Sequence, residues 1–96
     1  MTENEISEYF EKRYMMCYYM SWQKYGSTFF AVDERNNEMY EFRDIAYEII
    51  ILLIYKNCTL EQIVQILSKK YGIEENNIEN DVTEFIDQLD QAGIIR

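Results

Sequence analysis

The side chains best placed for chemistry in this sequence are carboxylates: Glu74 beside Glu75, and Asp87 three residues before Asp90. Two carboxyls serve as general acid and base only when their surroundings push their proton affinities apart. A calcium loop needs alternating oxygen ligands around a Gly turn. Neither cue accompanies these acids, so they read as a solvated face. Other reactive types are scarce. The 96 residues contain no His, which removes histidine general acid–base catalysis, the Ser-His and Cys-His nucleophile pairs and most zinc sites. Cys17 and Cys58 lack CxxC spacing and read as free thiols of a cytoplasmic protein. The GxGxxG, P-loop, HExxH and EF-hand patterns are all missing. The chain is therefore expected to be non-enzymatic, with no cofactor and no metal.

Charge narrows the partners. Eighteen acids against nine bases give a net charge of −9. Such a surface disfavours nucleic acid and anionic membranes and suits neutral or basic soluble partners. The helical pattern over 77–92 concentrates this charge: it holds Glu79, Asp81, Glu84, Asp87 and Asp90, and no Lys, Arg or His. Its apolar residues Ile78, Val82, Phe85, Ile86 and Leu89 fall on one helical stripe. No apolar run approaches the roughly 18 residues of a membrane span. The N-terminus, Met1-Thr-Glu-Asn-Glu, lacks a basic segment followed by an apolar one, so no secretory signal is expected.

The elements that position these residues follow from periodicity. The length suits one domain, and 48% hydrophobic residues suit a globular one. Residues 1–13 read as a polar tail or short helix, and 14–96 as the folded domain. Residues 14–22, dense in Tyr, Met and Trp, predict a first strand. Gly26-Ser27 predicts a turn, 28–33 a second strand, 34–37 a turn that exploits Asn, and 38–42 a short third strand. On that third strand Tyr40 and Phe42 share one face, Met39 and Glu41 the other. The period then changes to 3.6. Asp44 is expected to cap a helix with Ile45, Ala46, Ile49, Leu52 and Leu53 inward, and Asn57 to end it in a left-handed conformation. Thr59-Leu-Glu-Gln62 is a capping box opening a second helix, which Gly72 ends. The acidic helix follows, and Ile94 and Ile95 return to the core. Three strands followed by three helices predict an α+β, winged-helix-like domain with an antiparallel meander.

With strand order 1-2-3, Glu38, Met39, Tyr40, Glu41 and Phe42 lie at a sheet edge. An edge strand offers unpaired N–H and C=O groups to which an extended peptide can add. Glu38 and Glu41 would equally serve as charged protection of that edge. If the acidic helix packs beside the edge, a groove forms with an apolar floor and an acidic rim.

The order and spacing of several segments resemble the PqqD-like family, the precursor-peptide recognition element of ribosomally made, modified peptides. These are residues 29–33, 39–42 and 46–49, Thr59-Leu-Glu-Gln-Ile63, Tyr71-Gly-Ile73, Asp81-Val82, Phe85-Ile86 and 89–95. The likeness covers 14–96. It departs at Asn57, where the family usually has Gly, and at Phe42-Arg43, where it often has Leu-Asn, so that Asp44 would take over the cap. Such a resemblance implies binding of a precursor's leader segment as a fourth strand, antiparallel to the third, against the third helix. It further implies presentation of the leader to a modifying enzyme, often a radical S-adenosylmethionine enzyme, or to a leader peptidase. Ending soon after Ile95, the chain is expected to be a standalone protein or an excised domain.

On this reading the peptide-binding residues are Glu38, Met39, Tyr40, Glu41, Phe42, Asp81, Val82, Glu84, Phe85, Gln88 and Leu89. Val82, Phe85 and Leu89 are expected nearest the groove, although one stripe must divide between core and ligand. The acidic rim predicts a leader with Lys or Arg beside its apolar anchors. A winged-helix DNA-binding regulator is the first alternative, but it requires a basic third helix or wing, which the sequence lacks. A plain interaction domain that dimerises through the edge strand is the second.

Overall fold

A computed structural model describes residues 11–96; the expected N-terminal tail or helix lies largely outside the described residues. Three strands come first, β1 (Met20–Tyr25), β2 (Thr28–Asp33) and β3 (Glu38–Phe42). They form one antiparallel sheet in the order β1-β2-β3. Helix α1 (Asp44–Ile50) runs on into a wider π-helical segment, Ile51–Tyr55. Helices α2 (Leu60–Tyr71) and α3 (Glu75–Gln91) complete the α+β domain. No helix of the described residues is long and apolar enough to cross a membrane.

Turn chemistry sets the sheet register. Gly26 takes φ +61, and Tyr25 and Thr28 are the last paired residues before that tight turn. Asn37 takes φ +60, and its amide donates to the Asp33 carbonyl at 2.7 Å, closing the second hairpin. Residues opposite one another across antiparallel strands share a face. Phe29, Ala31 and Asp33 are buried, so their partners Phe42, Tyr40 and Glu38 face the helices with them. Met39 and Glu41 point away, as their alternation predicts.

The first strand differs from expectation. Pairing with β2 begins at Met20 rather than 14, because the turn at Gly26 fixes which residues oppose β2. The preceding Met-Tyr-rich stretch pairs elsewhere: Met15 and Arg96 exchange backbone hydrogen bonds of 3.0 and 2.9 Å, and the Cys17 amide donates to the Ile94 carbonyl at 3.0 Å. The chain end is thus tied across the start of the domain. Ile94 and Ile95 return to the core, as expected. Gly93 makes this return with φ +75, and a Cβ there would stand 2.8 Å from the Tyr19 hydroxyl, which donates to the Gly93 carbonyl. Gly93→Ala is therefore expected to destabilise the fold by about 1–3 kcal/mol, read from the denaturation midpoint.

The helix ends follow the sequence more closely. Thr59 and Gln62 form the reciprocal capping box, and Asn57 and Gly72 adopt left-handed angles. Asp44, however, does not cap α1. The structure places Arg43 at that position, extended and with no side-chain hydrogen bond onto the helix. Asp44 sits one residue inside at φ +56, where its carboxylate still complements the helix dipole. Helix α3 starts two residues earlier than predicted, at Glu75.

The core lies between the sheet and the helices, with Phe29, Ile50, Leu53, Ile63, Leu67, Val82, Ile86 and Ile95 almost fully buried. At the sheet's far corner the buried Asp33 carboxylate accepts from Arg35 Nε at 3.0 Å and Nη2 at 2.8 Å. The Arg35 guanidinium also lies 3.5 Å above the Tyr19 ring. Those hydrogen bonds hold the Asp33 carboxyl below its usual range. A carboxyl whose folded value is depressed contributes stability above its unfolded pKa and loses it as pH falls through the folded one. The melting temperature should thus fall as pH drops below about 4, with a shallower fall in Asp33→Asn.

Candidate functional site

The β3 edge and helix α3 meet through two rings. Phe42 and Phe85 pack edge to face with centroids 6.1 Å apart, and both are only half-buried. Phe42 reaches inward to the buried Phe29 at 6.2 Å. The pair therefore forms a firm apolar floor between a helix and a strand edge that is unpaired among the described residues.

From Phe85 the floor continues into a cleft of about 600 Å³ between α1, the turn after α2, and α3. Ile45, Ala46, Tyr71, Ile73, Val82 and Phe85 line it, with Asp81 and Asn77 at the helix side. Ile45, Tyr71 and Ile73 are large apolar side chains left substantially exposed around this cleft. The Tyr71 ring is fixed by its hydroxyl, which donates to the Glu48 carboxylate; Lys70 pairs with the same carboxylate. That hydrogen bond raises the proton affinity of the Tyr71 hydroxyl above its ordinary value.

The expected site residues divide by role. Among the strand residues, Glu38 accepts from the Tyr40 hydroxyl at 3.1 Å, and Glu41 is held by Arg43. Met39 stands 65% exposed on the outer sheet face. On α3, Asp81, Phe85 and Gln88 follow one another at helical spacing along the flank that carries the Phe42 contact. Glu84 is exposed further round, on a polar surface with Asn80 and Asp87. Val82 and Leu89 are 1% and 3% exposed: Val82 floors the cleft from beneath, and Leu89 belongs to the core. The stripe is thus shared unequally, with Phe85 the one apolar side chain of it that is only half-buried.

The sequence reading missed Tyr71, Ile73 and Asn77 as cleft residues and treated Ile45 and Ala46 as core. A usable signal was present. Tyr71 and Ile73 are large apolar residues on either side of the helix-ending Gly72, where the chain turns. Of the acids on these elements, Asp81 lines the cleft and Asp44 and Glu48 lie on α1 beside it, whereas Glu41 points to the outer sheet face and Glu84 lies further round α3. Among the described residues no group of three or more His, Cys, Asp or Glu could hold a metal ion.

The profile of the family described as "Coenzyme PQQ synthesis protein D (PqqD)" matches residues 29–95. The chain belongs to the PqqD family. Two solved structures share its fold. "Lasso peptide synthetase B1 complexed with the leader peptide" superposes with a TM-score of 0.78 at 19% identity, covering 88% of this chain and 99% of that one. "TbiB1 in Complex with the TbiA(beta) Leader Peptide" gives 0.77 at 13% identity, covering 85% and 94%. No curated protein sequence matches. The PqqD profile begins at Phe29, inside β2, so it spans both the β3 edge and α3.

Proposed function

We propose that this PqqD-family chain binds the leader segment of a ribosomally made precursor peptide and presents it to a peptide-modifying enzyme or leader peptidase, itself taking no part in the chemistry. The observation that carries this reading is the open β3 edge beside the Phe42–Phe85 floor. The leader adds as a fourth strand antiparallel to β3 and seats an apolar side chain against Phe85, in or beside the cleft. The two similar structures, each described with a leader peptide, support it. Backbone groups of β3 then supply affinity that is largely blind to sequence, and the cleft supplies selectivity.

Asp81, exposed on the cleft wall, and Glu84 favour a leader with Lys or Arg next to its apolar anchor. A strand of five to eight residues buries less than a standard interface, so a dissociation constant of roughly micromolar to high nanomolar is expected. Calorimetric titration with a precursor leader tests the proposal. Affinity should fall modestly with salt and with Asp81→Lys or Glu84→Lys. A well-folded chain that binds no leader would end this reading; binding indifferent to salt and to both reversals would remove its electrostatic part. Acidic α3 gives the DNA-binding alternative no purchase on phosphate.

A further inference from the structure

Charge is segregated in this molecule. The stretches 12–32 and 49–60 contain Lys12, Arg13, Lys24 and Lys56 and not one Asp or Glu, in a chain with 18 acids. These two stretches meet at the sheet edge opposite the groove. There the Trp22 indole stacks on Phe29 at 5.8 Å, and Tyr55, from the π-helical segment, packs edge-on to Trp22 at 5.4 Å. Despite these contacts Trp22 is 41% and Tyr55 48% exposed. Lys24 lies two residues from Trp22 on the same face of β1. Lys56 follows Tyr55, and the Arg13 guanidinium donates to the Asn57 carbonyl just beyond. Among the described residues Arg13, Lys24 and Lys56 form no ion pair; the pairs are Arg35–Asp33, Arg43–Glu41 and Lys70–Glu48.

Exposed Trp and Tyr held by ring contacts beside cations that form no ion pair among the described residues are the composition of an interface anchor, not of a solubilising surface. We propose that the Trp22–Tyr55 face, with Arg13, Lys24 and Lys56 around it, is a second docking surface that takes an acidic patch of the peptide-modifying enzyme. The choice of the enzyme as occupant rests on the proposed leader-binding function; the need for an acidic partner rests on charge alone. Outside these two stretches acids outnumber bases, so the charge of the rest of the sequence disfavours an acidic partner. A leader in the groove and an enzyme on this face could then be held together without competing for one surface.

Trp22 is the only Trp of the chain, so 5-fluorotryptophan gives a single fluorine resonance on the patch itself. The test adds a candidate peptide-modifying enzyme, and separately the leader peptide of its precursor, to the labelled full chain. The resonance is expected to shift with enzyme and stay in place with leader. The double variant Lys24→Glu, Lys56→Glu should lose at least tenfold in enzyme affinity and keep leader affinity. An unmoved resonance in an enzyme complex, or equal enzyme affinity for the double variant, would overturn the proposal. So would a shift that depends only on the chain's own concentration, which would make the occupant a second copy. Loss of leader binding with enzyme binding retained would instead remove the leader function and leave the docking surface standing.

Discussion

Phe85→Ala is expected to weaken leader binding by about 10- to 100-fold while the domain stays folded. Phe85 is set apart from its stripe neighbours by burial. Val82, Ile86 and Leu89 are fully enclosed, and their truncation would act through the core at about 2–5 kcal/mol of stability. Phe85 is half-buried, touches Phe42 edge-on and lines the cleft. Its removal deletes the apolar surface joining strand edge to cleft, with a smaller loss of packing. Calorimetry with the leader, alongside chemical denaturation, separates the two effects. A Phe85→Ala variant that binds the leader normally would place the peptide elsewhere. Phe85→Leu should recover part of the affinity, since it restores apolar bulk without the ring edge.

N-methylation of single leader amides is expected to give an alternating pattern. A strand added antiparallel to β3 turns every second amide toward the sheet and the intervening ones toward solvent. Methylating an inward amide removes a donor and leaves a β3 carbonyl unsatisfied, at about 1–3 kcal/mol, or roughly 5- to 150-fold in affinity. Methylating an outward amide should change affinity far less. The test leaves the protein untouched, so no folding defect can imitate the result. Losses without a period of two would show that the leader is not held as a strand.

The parts of this architecture readable from sequence were those governed by local chemistry. Asn37, Asn57 and Gly72 occupy the left-handed positions expected of them, and the Thr59–Gln62 box forms as written. The β3 alternation and the helical stripe of α3 also follow directly from spacing. What escaped depended on distant partners. The aromatic density of 14–22 signals β structure but not with which strand, and Met16 pairs with Ile95 at the other end of the chain. Asp44 looked like a cap by residue type, yet the chain reaches α1 one residue earlier, at Arg43.

The site was legible to the same degree. Periodicity placed Phe42 with Tyr40 on one face of the third strand and Phe85 on the stripe, and the structure brings the Phe42 and Phe85 rings together. It could not divide the stripe, because burial of Val82 and Leu89 depends on how α3 is rotated against the other elements. Nor could it reveal the cleft, since Ile45, Tyr71 and Ile73 come from separate segments that meet only in the folded chain.

The most direct measurement is amide hydrogen exchange of the chain with and without leader peptide. If the leader adds to β3, amides within Glu38–Phe42 that face the open edge become protected at alternate positions, while β1 amides keep their free rates. Unchanged exchange across 38–42 in a chain saturated with leader, or protection appearing on β1 instead, would contradict the account.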